Sequence, residues 1–164
     1  MAYKAKMLGR DAVMRKLNTL VPEAERELAQ AQMEAAQELA AAIKARAPRR
    51  TGRYADSIKA GPLHGRNDYE KPIGLQLTKD KNAWGIFAWF TWRFLEFGTK
   101  AHAARAPRRN RNYRRTYVLT RAYRAHAATR AFPHIFPTYR AMRKKIRRKM
   151  AMAVNKAVRK VASK

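Results

Sequence analysis

Four histidines, His64, His102, His126 and His134, are the side chains of this 164-residue sequence best suited to proton transfer or metal ligation. No two stand three or four positions apart, the spacing that sets two ligands on one helix face. There is no cysteine, and no carboxylate side chain follows Glu96. Neither a thiolate cluster nor a nucleophilic triad can be completed in the C-terminal part. The seven glycines are scattered, and Gly61-Pro62-Leu63-His64-Gly65 lacks the Lys-Ser/Thr ending of a phosphate-cradling loop. Asp56 and Asp68 read as turn residues. The sequence argues against an enzyme and implies no cofactor and no metal.

The remaining chemistry is that of positive charge. The formal net charge is +27, and residues 97–164 carry +21 of it, against +6 for residues 1–96. The free chain repels itself, so its partner is a polyanion or an acidic protein surface. Between Lys100 and Arg130 the arginines Arg105, Arg108, Arg109, Arg111, Arg114, Arg115, Arg121 and Arg124 are interleaved with Tyr113, Tyr117 and Tyr123. Three readings stand. The charge is a solvated face; or the Arg and Tyr side chains follow nucleic-acid phosphates and stack on bases; or the segment is an arm that wraps an acidic neighbour and is ordered by it. The third is favoured for residues 100–131, because Tyr117-Val118-Leu119 is the sole apolar triplet there.

The elements that position these residues follow from periodicity. Leu8, Ala12, Val13, Leu17 and Leu20 recur at helical spacing, predicting a short helix from Gly9 to Leu20 that ends before Val21-Pro22. Pro22 then opens a second, long helix to about Ala45, with Glu23, Glu25 and Glu27 at its positive end and Leu28, Ala31, Ala35, Leu39, Ala42 and Ile43 as its apolar stripe. Ile73, Leu75 and Leu77 alternate with Gly74, Gln76 and Thr78 as a half-buried strand would. The run Trp84 to Phe90 is apolar on both parities, so a strand there needs cover on both faces, one of them from another subunit. Trp84, Phe87 and Trp89 are the candidate subunit interface. Trp92 to Thr99 reads as a short element terminated by Gly98. Met142, Ile146, Met150, Val154, Ala157 and Val161 mark an amphipathic helix over 138–161. The uncharged run Asn82 to Trp92 is far below the ~20 apolar residues a membrane-spanning helix needs, so a soluble, intracellularly made protein is expected.

Three motifs occur in order: Ala47-Pro48-x-x-Thr51-Gly52 followed by Ser57-Ile58; Phe94-Leu95-Glu96-Phe97-Gly98-Thr99; and Pro133-x-x-Phe136-Pro137 before the last helix. Gly52 suits a turn with positive φ, Thr51 or Ser57 can satisfy local backbone groups, and Glu96 is expected to pair with Arg93, Arg53 or a neighbouring subunit's arginine. Together the motifs resemble the tail-completion, or neck, proteins of long-tailed bacteriophages of the lambda and HK type, over residues 8–160. The arm looks like an insertion, and His134 stands where that family has Phe.

The resemblance implies an α+β fold, a small antiparallel sheet packed against a long N-terminal and an amphipathic C-terminal helix. A single domain over 1–164 is expected, divided into a core at 8–99, the basic arm at 100–131, and an anchoring turn with the last helix at 132–164. The function implied is that of a structural virion protein, not an enzyme, forming a six- or twelve-fold homo-oligomeric ring between the capsid's portal side and the tail tube. Its partners would be itself, other neck and tail proteins and packaged DNA, with no membrane. It would reside in the virion after assembly in the host cytoplasm. A sibling neck component (tail terminator or head stopper) and a cellular non-specific nucleic-acid-binding protein are the alternatives.

Overall fold

The computed structural model describes residues 10–64, 72–74, 80–106, 109–111, 117–119 and 124–163, with backbone alone at 10–13, 16, 109–111 and 117–119. One helix, α1 (Arg10–Arg46), runs unbroken through the expected division at Val21-Pro22. Pro22 has a φ suited to a helix and forgoes one backbone hydrogen bond; its ring faces solvent, and the Ala- and Glu-rich flanks sustain the helix past it. Glu23 and Glu27 therefore do not stand at a helix start. They reach the last helix instead.

That helix, α4 (Ile135–Ala162), lies antiparallel to α1. Glu23 meets Lys160, Glu27 meets Lys156 and Lys160, Glu34 meets Lys149, and Glu38 meets Lys145 and Lys149, so the two helices descend in step. Hydrogen bonds from the lysine ammonium groups hold all four carboxyls below their ordinary range, Glu38 at about 2. The buried stripe of α4 differs from the expected one at a single step: Val154 is exposed and Ala153 is buried in its place, beside Ala157 and Val161.

Two strands cover another side of α1. Strand β1 (Lys59–Pro62) pairs antiparallel with β2 (Trp84–Phe87), with Lys59 opposite Phe87 and Pro62 opposite Trp84. A bridge from Pro72 to Phe87 and a hydrogen bond from the Ile73 N–H to the Ile86 carbonyl at 2.7 Å extend the ladder, but Gly74, at φ 87, leaves extended backbone, and residues 75–78 of that expected strand lie outside the described residues. Both Ile86 and Phe87 are buried within their own chain, and Trp84 packs half-buried on the core. Adjacent strand residues point to opposite faces, so the two-sided apolar run is covered on both sides within the chain as far as Phe87, where β2 ends. Two short helices, α2 (Arg53–Ser57) and α3 (Trp92–Phe97), close the domain. Leu39, Ile43, Ile58, Ile86, Trp92 and Ile135 meet in its core. The fold is α+β. No helix among the described residues is long and apolar enough to cross a membrane.

The arm is an antiparallel hairpin. Thr99 pairs with Thr129, His102 with His126, and strand β3 (Arg109–Arg111) with β4 (Tyr117–Leu119). Each step along one leg is matched by an equal step along the other, so all these pairs belong to one register. Residues 100–106 and 124–131 are exposed: the legs leave the domain without a core beneath them.

Candidate functional site

The three motifs, distant in sequence, meet at one point. Gly52 takes φ 78 and delivers the chain into α2, which carries Tyr54. Ser57 Oγ–H donates to the Tyr54 carbonyl at 2.6 Å, and its oxygen accepts the Trp89 N–H at 3.2 Å, tying the first motif to the end of β2. From α3 the buried Glu96 turns toward the start of α4. There its carboxylate accepts the backbone N–H groups of His134, Ile135 and Phe136 at 2.8, 2.9 and 3.0 Å.

The expected arginine partner is replaced by a helix N-terminus. The first N–H groups of a helix have no partner within it, and the helix dipole favours a negative charge at that end. Glu96 supplies both needs from another element. Its burial is compatible with charge because three donors replace water.

His134 stands over this cap. Its Nδ1 lies 2.8 Å from the Phe132 carbonyl, which can only accept, so Nδ1 carries the proton and Nε2 accepts from Tyr54 Oη at 2.8 Å. Burial, with the Glu96 carboxylate nearby, pushes the Tyr54 phenol up from its ordinary value. The three side chains are committed to internal partners. Such an arrangement locks the start of α4 to α2 and α3, and Thr138 reinforces it by donating to the His134 carbonyl at 2.6 Å. Among the described residues, no group of three or more His, Asp or Glu could hold a metal ion.

The outer surface beside this lock is aromatic. Phe97 and Phe136 stack at 5.9 Å, Phe90 meets Phe94 edge-on at 6.2 Å, and Trp89, Phe90, Phe94, Phe97 and Phe132 are all exposed. Of the three residues expected at a subunit interface, Trp89 alone is exposed. Gly98, at φ 72, turns the chain from α3 into the arm; a Cβ there would lie 2.5 Å from the Thr129 carbonyl oxygen. Pro48 is half-buried, while Thr51, Pro133 and Pro137 are exposed around the lock.

The structure spreads the expected arm residues along the hairpin. Arg105 and Arg124 are exposed, the backbone of Arg109, Arg111 and Tyr117 lies in β3 and β4, and Arg108, Tyr113, Arg114, Arg115, Arg121 and Tyr123 lie outside the described residues. Near the root, the His102 and His126 rings approach to 4.0 Å between centroids. A signal for this pairing is present in the sequence. Ala-His-Ala-Ala occurs at 101–104 and again at 125–128, and the structure lays the two copies against each other.

The family model of the bacteriophage HK97-gp10-like tail-component matches residues 11–98, a little over half of the chain. The chain belongs to this family. No curated protein and no solved structure matches it significantly. The HK97-gp10-like segment contains α1, the β1–β2 pair, Tyr54 and Glu96, whereas the arm, His134 and α4 follow it. The protein is a phage tail-related structural component.

Proposed function

We propose that this HK97-gp10-like protein is a ring-forming subunit of the neck, completing the tail where it meets the capsid's portal side, and that it acts by assembly rather than catalysis. The observation that carries the reading is the arm. An isolated two-stranded hairpin is marginal in water, and this one projects from the domain with exposed legs and a strongly basic composition. Its stability is gained on a neighbour. The exposed aromatic side chains Trp89, Phe90, Phe94, Phe97 and Phe132 supply a second surface of the residue type that protein interfaces favour.

Six- or twelve-fold copies, with other neck and tail proteins above and below, would bury both surfaces in the virion after assembly in the host cytoplasm. The Tyr54–Glu96–His134 lock supports a structural role, since each of its polar groups is already used inside the fold. The reading is tested by light scattering and electron microscopy of the purified chain at low and high salt. Rings, or a concentration-dependent rise in mass, are expected; a chain monomeric at every concentration and absent from purified particles overturns it.

A further inference from the structure

The basic residues of α4 are divided between two faces of the helix. Lys145, Lys149, Lys156 and Lys160 turn toward α1 and are neutralised by its glutamates. Arg140, Arg143, Lys144, Arg147 and Arg148 turn outward, are exposed, and make no ion pair or hydrogen bond among the described residues. They stand three or four residues apart in successive pairs, so like charges face each other along about 12 Å of helix. Such a stripe weakens its own helix. A polyanionic surface would relieve that repulsion.

A second copy of the chain, itself at a net charge of +27, is a poor source of such a surface. Of the chain's 11 acidic residues none follows Glu96. Of the 11, Glu23, Glu27, Glu34 and Glu38 are paired to α4, Asp56 is paired to Lys44, and Glu96 is buried under the helix start; Glu25 and Asp80 are exposed, and the side chains of Asp11, Asp68 and Glu70 lie outside the described residues. An acidic protein is the poorer fit as well. Protein interfaces concentrate apolar anchors at their centre and deplete charge there, and between Arg140 and Arg148 the larger apolar side chains, Met142 and Ile146, are half-buried against the core, leaving only Ala141 exposed.

We infer that this face of α4 binds the phosphate backbone of double-stranded DNA without reading its sequence. Duplex DNA presents one negative charge per about 1.7 Å of axis, a density comparable to that of the stripe, and guanidinium groups match phosphate geometry with paired hydrogen bonds where lysine offers a point charge. The surface is separate from the arm, and the inference stands whether or not the chain forms rings.

The test uses the full chain and a labelled duplex of arbitrary sequence, followed by fluorescence anisotropy across a salt series. Five phosphate contacts predict a slope of log affinity against log salt of about −4.5. The variant R140Q/R143Q/K144Q/R147Q/R148Q retains helix-favouring side chains and is expected to bind at least about tenfold more weakly near 100 mM salt, with most of the slope gone. The smaller variant R147Q/R148Q, which keeps the measurement decisive should the first misfold, is expected to lower the slope by about 2. The arm variant R105Q/R124Q is expected to keep the wild-type affinity to within a few fold. Unchanged binding by the helix variants, a loss confined to the arm variant, or tighter binding to polyglutamate than to the duplex overturns the inference.

Discussion

Tyr54 and His134, 80 residues apart in sequence, share a 2.8 Å hydrogen bond in which the imidazole accepts at Nε2. The pair joins α2 to the start of α4 within one packing site. His134→Phe keeps the ring but leaves the half-buried Tyr54 hydroxyl unanswered, and is expected to cost about 1–3 kcal/mol. Tyr54→Phe added to it removes the orphaned group. Urea midpoints of the two single variants and the double should show the double recovering about 1 kcal/mol relative to additivity; strict additivity would mean that the bond contributes nothing.

Glu96→Ala strips the start of α4 of three charge-assisted hydrogen bonds at once. The expected loss is about 3 kcal/mol or more, since hydrogen bonds to charged groups are worth roughly 1.5–3 kcal/mol each and do not add fully. Glu96→Gln, which keeps one carbonyl oxygen, should fall between this variant and the wild type. Chemical denaturation followed by far-ultraviolet circular dichroism reads both, and a loss below about 1 kcal/mol in Glu96→Ala would show that water caps the helix equally well.

Gly98→Ala meets two penalties, a left-handed backbone and a Cβ 2.5 Å from the Thr129 carbonyl oxygen. Gly74→Ala shares only the first, because its φ of 87 is accompanied by open space. The Gly74 variant should lose about 1 kcal/mol. A clearly larger loss is expected at Gly98, since the arm's return leg must move. Equal thermal shifts in the two variants would remove the steric argument.

Acid should separate α1 from α4. The folded-state pKa values of Glu23, Glu27, Glu34 and Glu38 lie below their ordinary value, so their contribution is complete above about pH 5 and is lost as pH falls toward about 2, the value at Glu38. The pKa values of Lys149 and Lys160 are raised, so their contribution is present below the ordinary lysine pKa and is lost only as pH climbs through the raised values. The thermal midpoint should be level between these limits, fall on the acid side, and fall less steeply in high salt. A midpoint constant from pH 6 to pH 2 contradicts this account.

Replacing Arg105 to Arg124 with a short turn should leave the unfolding midpoint of the isolated domain nearly unchanged, because the described legs bury nothing. Ring formation should fail. A fall in midpoint of more than about 4 °C, roughly 1 kcal/mol or more for a domain of this size, would make the arm part of the core.

What the residues disclosed in advance was whatever repeats along an element. The stripe from Ala31 to Ile43, the stripe of α4 and the termination at Gly98 all follow from spacing and backbone freedom. Pro22 misled because proline's preference for a first turn is local, and tertiary packing along α1 outweighs it. Glu96 misled for another reason: an acid among arginines suggests a side-chain partner, yet its partners are backbone N–H groups, which leave no mark on sequence. The pairing of the arm was hidden because alanine and arginine carry no strand alternation, although the doubled Ala-His-Ala-Ala marks where its legs cross. The outward surface of α4 is legible only once the α1 glutamates are known to take Lys145, Lys149, Lys156 and Lys160 and to leave Lys144 and the arginines.

The common register of the arm also governs how its reach can be altered. Residues added two at a time to both legs would carry the tip farther from the root while keeping each side chain on its face. Residues added to one leg would have to be absorbed as a bulge that turns the tip aside. The hairpin is in this sense a ruler, and related chains that span gaps of different width would be expected to lengthen or shorten it symmetrically.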